Sequence, residues 1–60
     1  MFKLTKDEFK MLKNIEAGKF IRYSDEWERL FHRGFFDYPG ANEIITKNGR
    51  LALRINQALR

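Results

Sequence analysis

The run Ile45-Thr46-Lys47-Asn48-Gly49-Arg50-Leu51-Ala52-Leu53 constrains the fold of this chain more than any other stretch, because it can be read in only two ways. In one, Asn48-Gly49 makes a two-residue hairpin turn, and Leu51, Leu53 and Ile55 alternate with Arg50, Ala52 and Arg54 as in a half-buried strand. In the other, a strand ending at Ile45 runs into a helix capped by Thr46. Leucine, alanine, arginine and glutamine favour that helix, and Leu51, Ile55, Ala58 and Leu59 recur at its spacing. We take the helix, over residues 47–59, as the working reading, with a strand through 50–55 as the open alternative. In helical form Lys47, Arg50, Arg54 and Gln57 share a polar flank. Leu53 falls outside the apolar face, as a candidate partner contact.

Whatever packs on this junction must do so without cross-links. The chain has sixty residues and no cysteine, which rules out both a disulfide framework and a thiolate zinc site. A single domain of this size buries only about 60% of the surface its unfolded chain exposes. Six Phe, two Tyr and one Trp supply the apolar area that such a core needs. His32 is the only histidine, so a transition-metal site or a nucleophile-histidine-acid triad lacks its parts. Asp7/Glu8 and Asp25/Glu28 are ordinary helix-start carboxylates, with no glycine-rich phosphate loop beside them. No catalysis and no cofactor are expected. Met1-Phe2-Lys3-Leu4 leads into a charged segment rather than an apolar run, so the expectation is a cytoplasmic protein with no membrane partner.

The remaining elements follow from caps and punctuation. Thr5 with Glu8 three residues later is a capping box, and Leu4 with Phe9 a hydrophobic staple, predicting a helix over 6–17 that ends at a left-handed Gly18. Lys19-Phe20-Ile21-Arg22-Tyr23 is short and β-prone, predicting a brief strand or extended connection over 19–23. Ser24 caps a second helix over 25–33, with Asp25 and Glu26 in its first turn and Gly34 after its end. Residues 35–37 and 43–45 read as a β-hairpin around Tyr38-Pro39-Gly40-Ala41-Asn42, where proline presets one torsion and glycine is expected to take a positive one. The fold class is α+β, one domain over 1–60. The predicted core is Phe9, Leu12, Ile15, Trp27, Leu30, Phe31, Ile45, Leu51 and Ile55.

Charge is distributed unevenly along the chain. The net charge of +4 lies wholly in residues 47–60, where Lys47, Arg50, Arg54 and Arg60 stand without an acid. An anionic partner would meet that end first, although four cations on a solvated helix also serve solubility. Lys6, Lys10 and Lys13 form a further stripe, better explained as a solvated face than as a phosphate track.

The succession helix, glycine, hairpin, then Ile45-Thr46-Lys47-Asn48-Gly49-Arg50 with Leu51 and Leu53 resembles the second half of winged-helix transcription regulators. In those families an aliphatic-Thr-x-x-Gly-Arg pattern leaves the last wing strand and opens the next helix. Leu30-Phe31-His32-Arg33-Gly34-Phe35-Phe36 is similar to their passage from recognition helix to wing. The resemblance covers about residues 27–55. It implies a recognition helix over Ser24 to Arg33 and a wing tip over Tyr38 to Asn42. The chain departs from the pattern in three ways. Residues 18–23 are too short for the usual preceding helix, Asp25, Glu26 and Glu28 would repel phosphate, and the wing tip has no cation.

Two functions follow as expectations. The first is DNA binding for transcription regulation, with Arg22, Arg29, His32 and Arg33 around the second helix, Asn42 at the wing, and Arg50 and Arg54 as phosphate contacts. A homodimer would supply base specificity. The second is a protein-binding module, such as a regulator or inhibitor of the kind phages and mobile elements encode. It would use exposed aromatics among Phe35, Phe36 and Tyr38 together with Leu53.

Overall fold

Three short-range hydroxyl caps set where the helices begin. The computed structural model describes residues 2–59 and orders them as α1 (Lys6–Glu16), α2 (Asp25–His32), β1 (Phe36–Asp37), β2 (Ile44–Ile45) and α3 (Lys47–Ala58). Thr5, Ser24 and Thr46 are extended residues whose side chains accept the first free helical N–H groups, from Glu8, Trp27 and Gly49. At α1 the box is complete: the Thr5 N–H donates to Glu8 Oε1 at 3.0 Å, and the Glu8 N–H to Thr5 Oγ1 at 3.1 Å. Residues 47–58 are helical, which removes the strand alternative for 50–55.

Two glycines stop the first two helices in the same manner. Gly18 (φ +74°) and Gly34 (φ +77°) take the left-handed conformation. Around them the Lys19 and Phe35 N–H groups reach back to the Asn14 and Leu30 carbonyls at 2.9 and 3.1 Å. This six-to-one bond closes the helix end and turns the chain away from it. Gly40 does not use a positive φ, contrary to the turn expected at Pro39-Gly40; the six residues from Tyr38 to Glu43 spread the reversal over more torsions. Phe36 pairs with Ile45 and Asp37 with Ile44 in a two-stranded antiparallel ribbon. No strand forms in 19–23, which is an unpaired connection.

α1 packs against α2, α3 and β2. Leu4, Leu12, Ile15, Leu30, Phe35, Phe36, Ala52 and Leu53 form the buried core, with Phe9, Trp27 and Ile45 half-buried against it. The predicted core is corrected at six aromatic and aliphatic positions. Leu51, Ile55 and Phe31 are each 38% exposed, whereas Phe35 and Phe36, expected outside, are at 2% and 1%. Leu53, expected to face outward, is also buried. The inward face of α3 is Gly49, Ala52, Leu53 and Asn56, one step around the helix from the most aliphatic face.

Small side chains let α3 approach closely. A Cβ added at Gly49 would lie 2.0 Å from the Phe35 carbonyl oxygen and 2.8 Å from Ile45 Cγ1. Thr46 locks this crossing in place: its N–H donates to the Phe35 carbonyl at 3.2 Å and its hydroxyl to the Gly34 carbonyl at 2.6 Å. On the next turns Asn56, 3% exposed, ties down the N-terminal segment. Its Oδ1 accepts the Leu4 N–H at 3.0 Å, and its Nδ2 donates to the Phe2 and Ala52 carbonyls. A polar residue at a core position is tolerated here because both ends of its amide are satisfied.

Candidate interaction surface on the second helix and hairpin

A buried acid pairs with Arg29 of α2 and with Arg33 at its C-terminal cap. Glu8 is only 4% exposed, yet no buried side-chain polar atom among the described residues lacks a partner. Arg29 Nε donates to Glu8 Oε2 at 2.8 Å, and Arg33 Nη1 lies 3.7 Å from Oε1. Arg29 also reaches Glu26 at 3.7 Å. Arg33 donates to the Lys3 carbonyl at 3.1 Å and places its guanidinium 4.7 Å from the Phe35 ring centroid. The carboxylate that caps α1 therefore also fastens α2 and the N-terminal segment.

Burial works to raise the Glu8 carboxyl's pKa. The Arg29 hydrogen bond, the Thr5 N–H and the charges of Arg29 and Arg33 together overcome it, so the group titrates below the ordinary glutamate value. A folded value below the unfolded one means stabilisation that is fully present above the unfolded pKa of about 4.3 and disappears as pH falls through the folded value. Urea denaturation should show Glu8→Gln less stable than the parent at neutral pH, with the difference shrinking below about pH 4. A pH-independent difference would mean that the carboxylate's charge contributes nothing.

With the arginines so engaged, aromatic rings occupy the outward side of α2 and the hairpin. Trp27 is the hub, with ring centroids of Tyr23, Phe31, Phe36 and Tyr38 at 5.2, 5.3, 5.0 and 5.4 Å. Phe36 is the buried floor of this group, while Phe31, Tyr38 and Tyr23 are 38%, 45% and 63% exposed. Helical spacing brings Trp27 and Phe31 together, and strand alternation puts Tyr38 on the same side as Phe36. Acids frame the rings. Trp27 Nε1 donates to Glu43 at 2.9 Å, and the Tyr23 hydroxyl donates to Glu28, whose other oxygen lies 2.9 Å from His32 Nε2. The Tyr23–Glu28 bond holds the phenol above its usual pKa and the carboxyl below its own.

The residues expected to contact DNA do not form one cationic surface. Arg29, Arg33 and His32 are paired with Glu8, Glu26 and Glu28. Asn42 sits exposed in the hairpin turn, beside a cleft of about 420 Å³ between that turn and residues 18–21. Arg22, Arg50 and Arg54 are exposed and make no ion pair among the described residues. Arg50 and Arg54 line a shallow depression on α3 with Lys47, Asn48 and Leu51. Among the described residues no cluster of His, Cys, Asp and Glu is arranged to hold a metal ion, and no helix is long and apolar enough to cross a membrane.

Sequence reasoning missed the Trp27 hub as a surface and Glu8 as an anchor. The spacing of Tyr23, Trp27 and Phe31, each four residues apart, carried the signal for the first. Nothing local carried the second, because Arg29 is twenty-one residues from Glu8. Comparison of the chain with protein-family models, with curated proteins and with solved structures finds no match.

Proposed function

We propose that this chain is a small non-catalytic binding protein on a winged-helix-like scaffold, and that it docks a protein partner through the aromatic face of α2 and the hairpin. The observation that carries this reading is the Trp27-centred group of rings, three of them exposed, framed by Glu28 and Glu43. Contiguous exposed aromatics with a polar rim mark protein contact sites, and tryptophan and tyrosine dominate their energetics. An acidic rim repels phosphate and attracts lysine or arginine, whose cations also favour ring faces. The partner surface is therefore a basic, partly aliphatic segment.

The one tryptophan makes this testable without knowing the partner. Peptides selected from an unbiased displayed library against the folded protein should be rich in Lys or Arg, and their binding should shift Trp27 emission. Tyr38→Ser should weaken them. Selected binders that leave Trp27 emission unchanged would place the contact surface elsewhere.

A second reading, duplex binding, is favoured by Lys47, Arg50 and Arg54 on a stretch of α3 that has no acid. Three phosphate contacts from α3 would give weak affinity with a log–log salt slope of about −2.7, and no base reading through α2.

A further inference from the structure

Residues 20–23 are the least accounted-for part of the molecule. Among the described residues no backbone N–H or C=O of Phe20, Ile21, Arg22 or Tyr23 makes a hydrogen bond, and the segment has no regular structure. Phe20 is 92% exposed, the most exposed large apolar side chain of the described residues. Ile21, next to it, is half-buried against the core, and Tyr23 leans onto Trp27. Phe20 and Arg22 on either side of Ile21 are exposed. Clefts of about 420 and 280 Å³ run along the two sides of Phe20 and Ile21, one against Ala41, Asn42 and Glu43, the other against Lys10, Met11 and Asn14. A β-prone segment with unbonded amides beside a cleft is a template for another strand.

We propose that this segment is the contact of a two-fold homodimer, formed by antiparallel pairing of residues 19–23 with the same residues of a second copy. This goes beyond the aromatic docking face, with which the segment shares only Tyr23. A two-fold contact requires a self-complementary surface, and Lys19-Phe20-Ile21-Arg22-Tyr23 meets that demand when Ile21 stands opposite Ile21 of the second copy. Phe20 then faces Arg22 and Lys19 faces Tyr23, so every cation of the segment lies across from an aromatic ring. Sliding the pairing one residue towards the N-terminus sets Lys19 opposite Arg22 and turns the sides out of phase. Another extended peptide would satisfy the amides, but in this register the segment sets each of its own cations across from one of its own rings, which offsets the repulsion of two like-charged strands. The strand pair with Phe20 covers less than the roughly 800 Å² per partner of a standard interface. The dimer is therefore in equilibrium with monomer at working concentrations.

Sedimentation equilibrium of the full chain from micromolar to millimolar concentration is the first arm. A reversible monomer–dimer equilibrium is expected. Phe20→Ser and Arg22→Glu alter exposed side chains and should preserve the circular dichroism spectrum, yet each should weaken association by about tenfold, because symmetry removes two cation–ring contacts per substitution. The Tyr38→Ser control should leave association unchanged. In a sample mixing isotope-labelled and unlabelled chains, intermolecular NOEs should link Phe20 to Arg22. A monomer throughout the range would overturn the proposal. So would a dimer whose intermolecular NOEs map to α3 or to Trp27, Phe31 and Tyr38.

Discussion

Gly49→Ala is expected to destabilise the protein by about 3 kcal/mol or more, although the same change inside a helix ordinarily gains about 1 kcal/mol. The reversal comes from the added Cβ, which would sit 2.0 Å from the Phe35 carbonyl oxygen and 2.8 Å from Ile45 Cγ1. The carbonyl cannot easily retreat, since it accepts the Thr46 N–H, and the same Thr46 caps α3 and donates to Gly34. Relief would require α3 to move outward and break that set of bonds. A sixty-residue domain has on the order of 3–9 kcal/mol of stability in total. The variant should therefore melt roughly 12–24 °C lower by circular dichroism, or be unfolded at room temperature. A melting temperature equal to the parent's or higher would show that α3 does not cross β1 and β2 this closely.

The second large effect separates two leucines on one helix. Leu53, 5% exposed, should lose about 2–4 kcal/mol on truncation to alanine, whereas Leu51, 38% exposed, should lose less than about 1 kcal/mol. Urea denaturation midpoints at an unchanged slope measure both. The opposite ranking would put the more aliphatic face of α3 against the core.

That ranking marks where sequence reasoning succeeded and where it stopped. Element order, the three caps and the two glycine helix stops were legible, because each is written in residues within about five positions of one another: Thr5 with Glu8, Ser24 with Trp27, Gly18 and Gly34 after their helices. The buried face of α3 was not. Hydrophobic periodicity selects the stripe with the largest side chains, Leu51, Ile55 and Leu59, but α3 turns Gly49, Ala52, Leu53 and Asn56 inward, because its crossing over Phe35 and Ile45 leaves no room for a Cβ at position 49. Asn56 escaped for a related reason. Its burial depends on the Phe2 and Leu4 backbone, at the far end of the chain.

The contact surface was legible in the same partial way. The residue types expected for a binding face are present, but charge pairing decides which are available, and Glu8 reaches from α1 to take Arg29 and Arg33. The same folding step that buries Phe35 and Phe36 leaves Phe31, Tyr38 and Tyr23 outside. Pairing of the α2 cations, with rings exposed beside Glu28 and Glu43, is what supports our proposal of a protein contact over a polyanion groove.

An amide NMR titration of labelled protein with generic duplex DNA, at low and then physiological salt, tests this account most directly. If the α2 arginines serve the fold and the outward face is aromatic, the Arg29, Arg33 and Asn42 amides stay in place. Any shifts then fall on Lys47, Arg50 and Arg54 and vanish with salt. Saturable shifts centred on α2 and the hairpin turn, persisting at physiological salt, would contradict it.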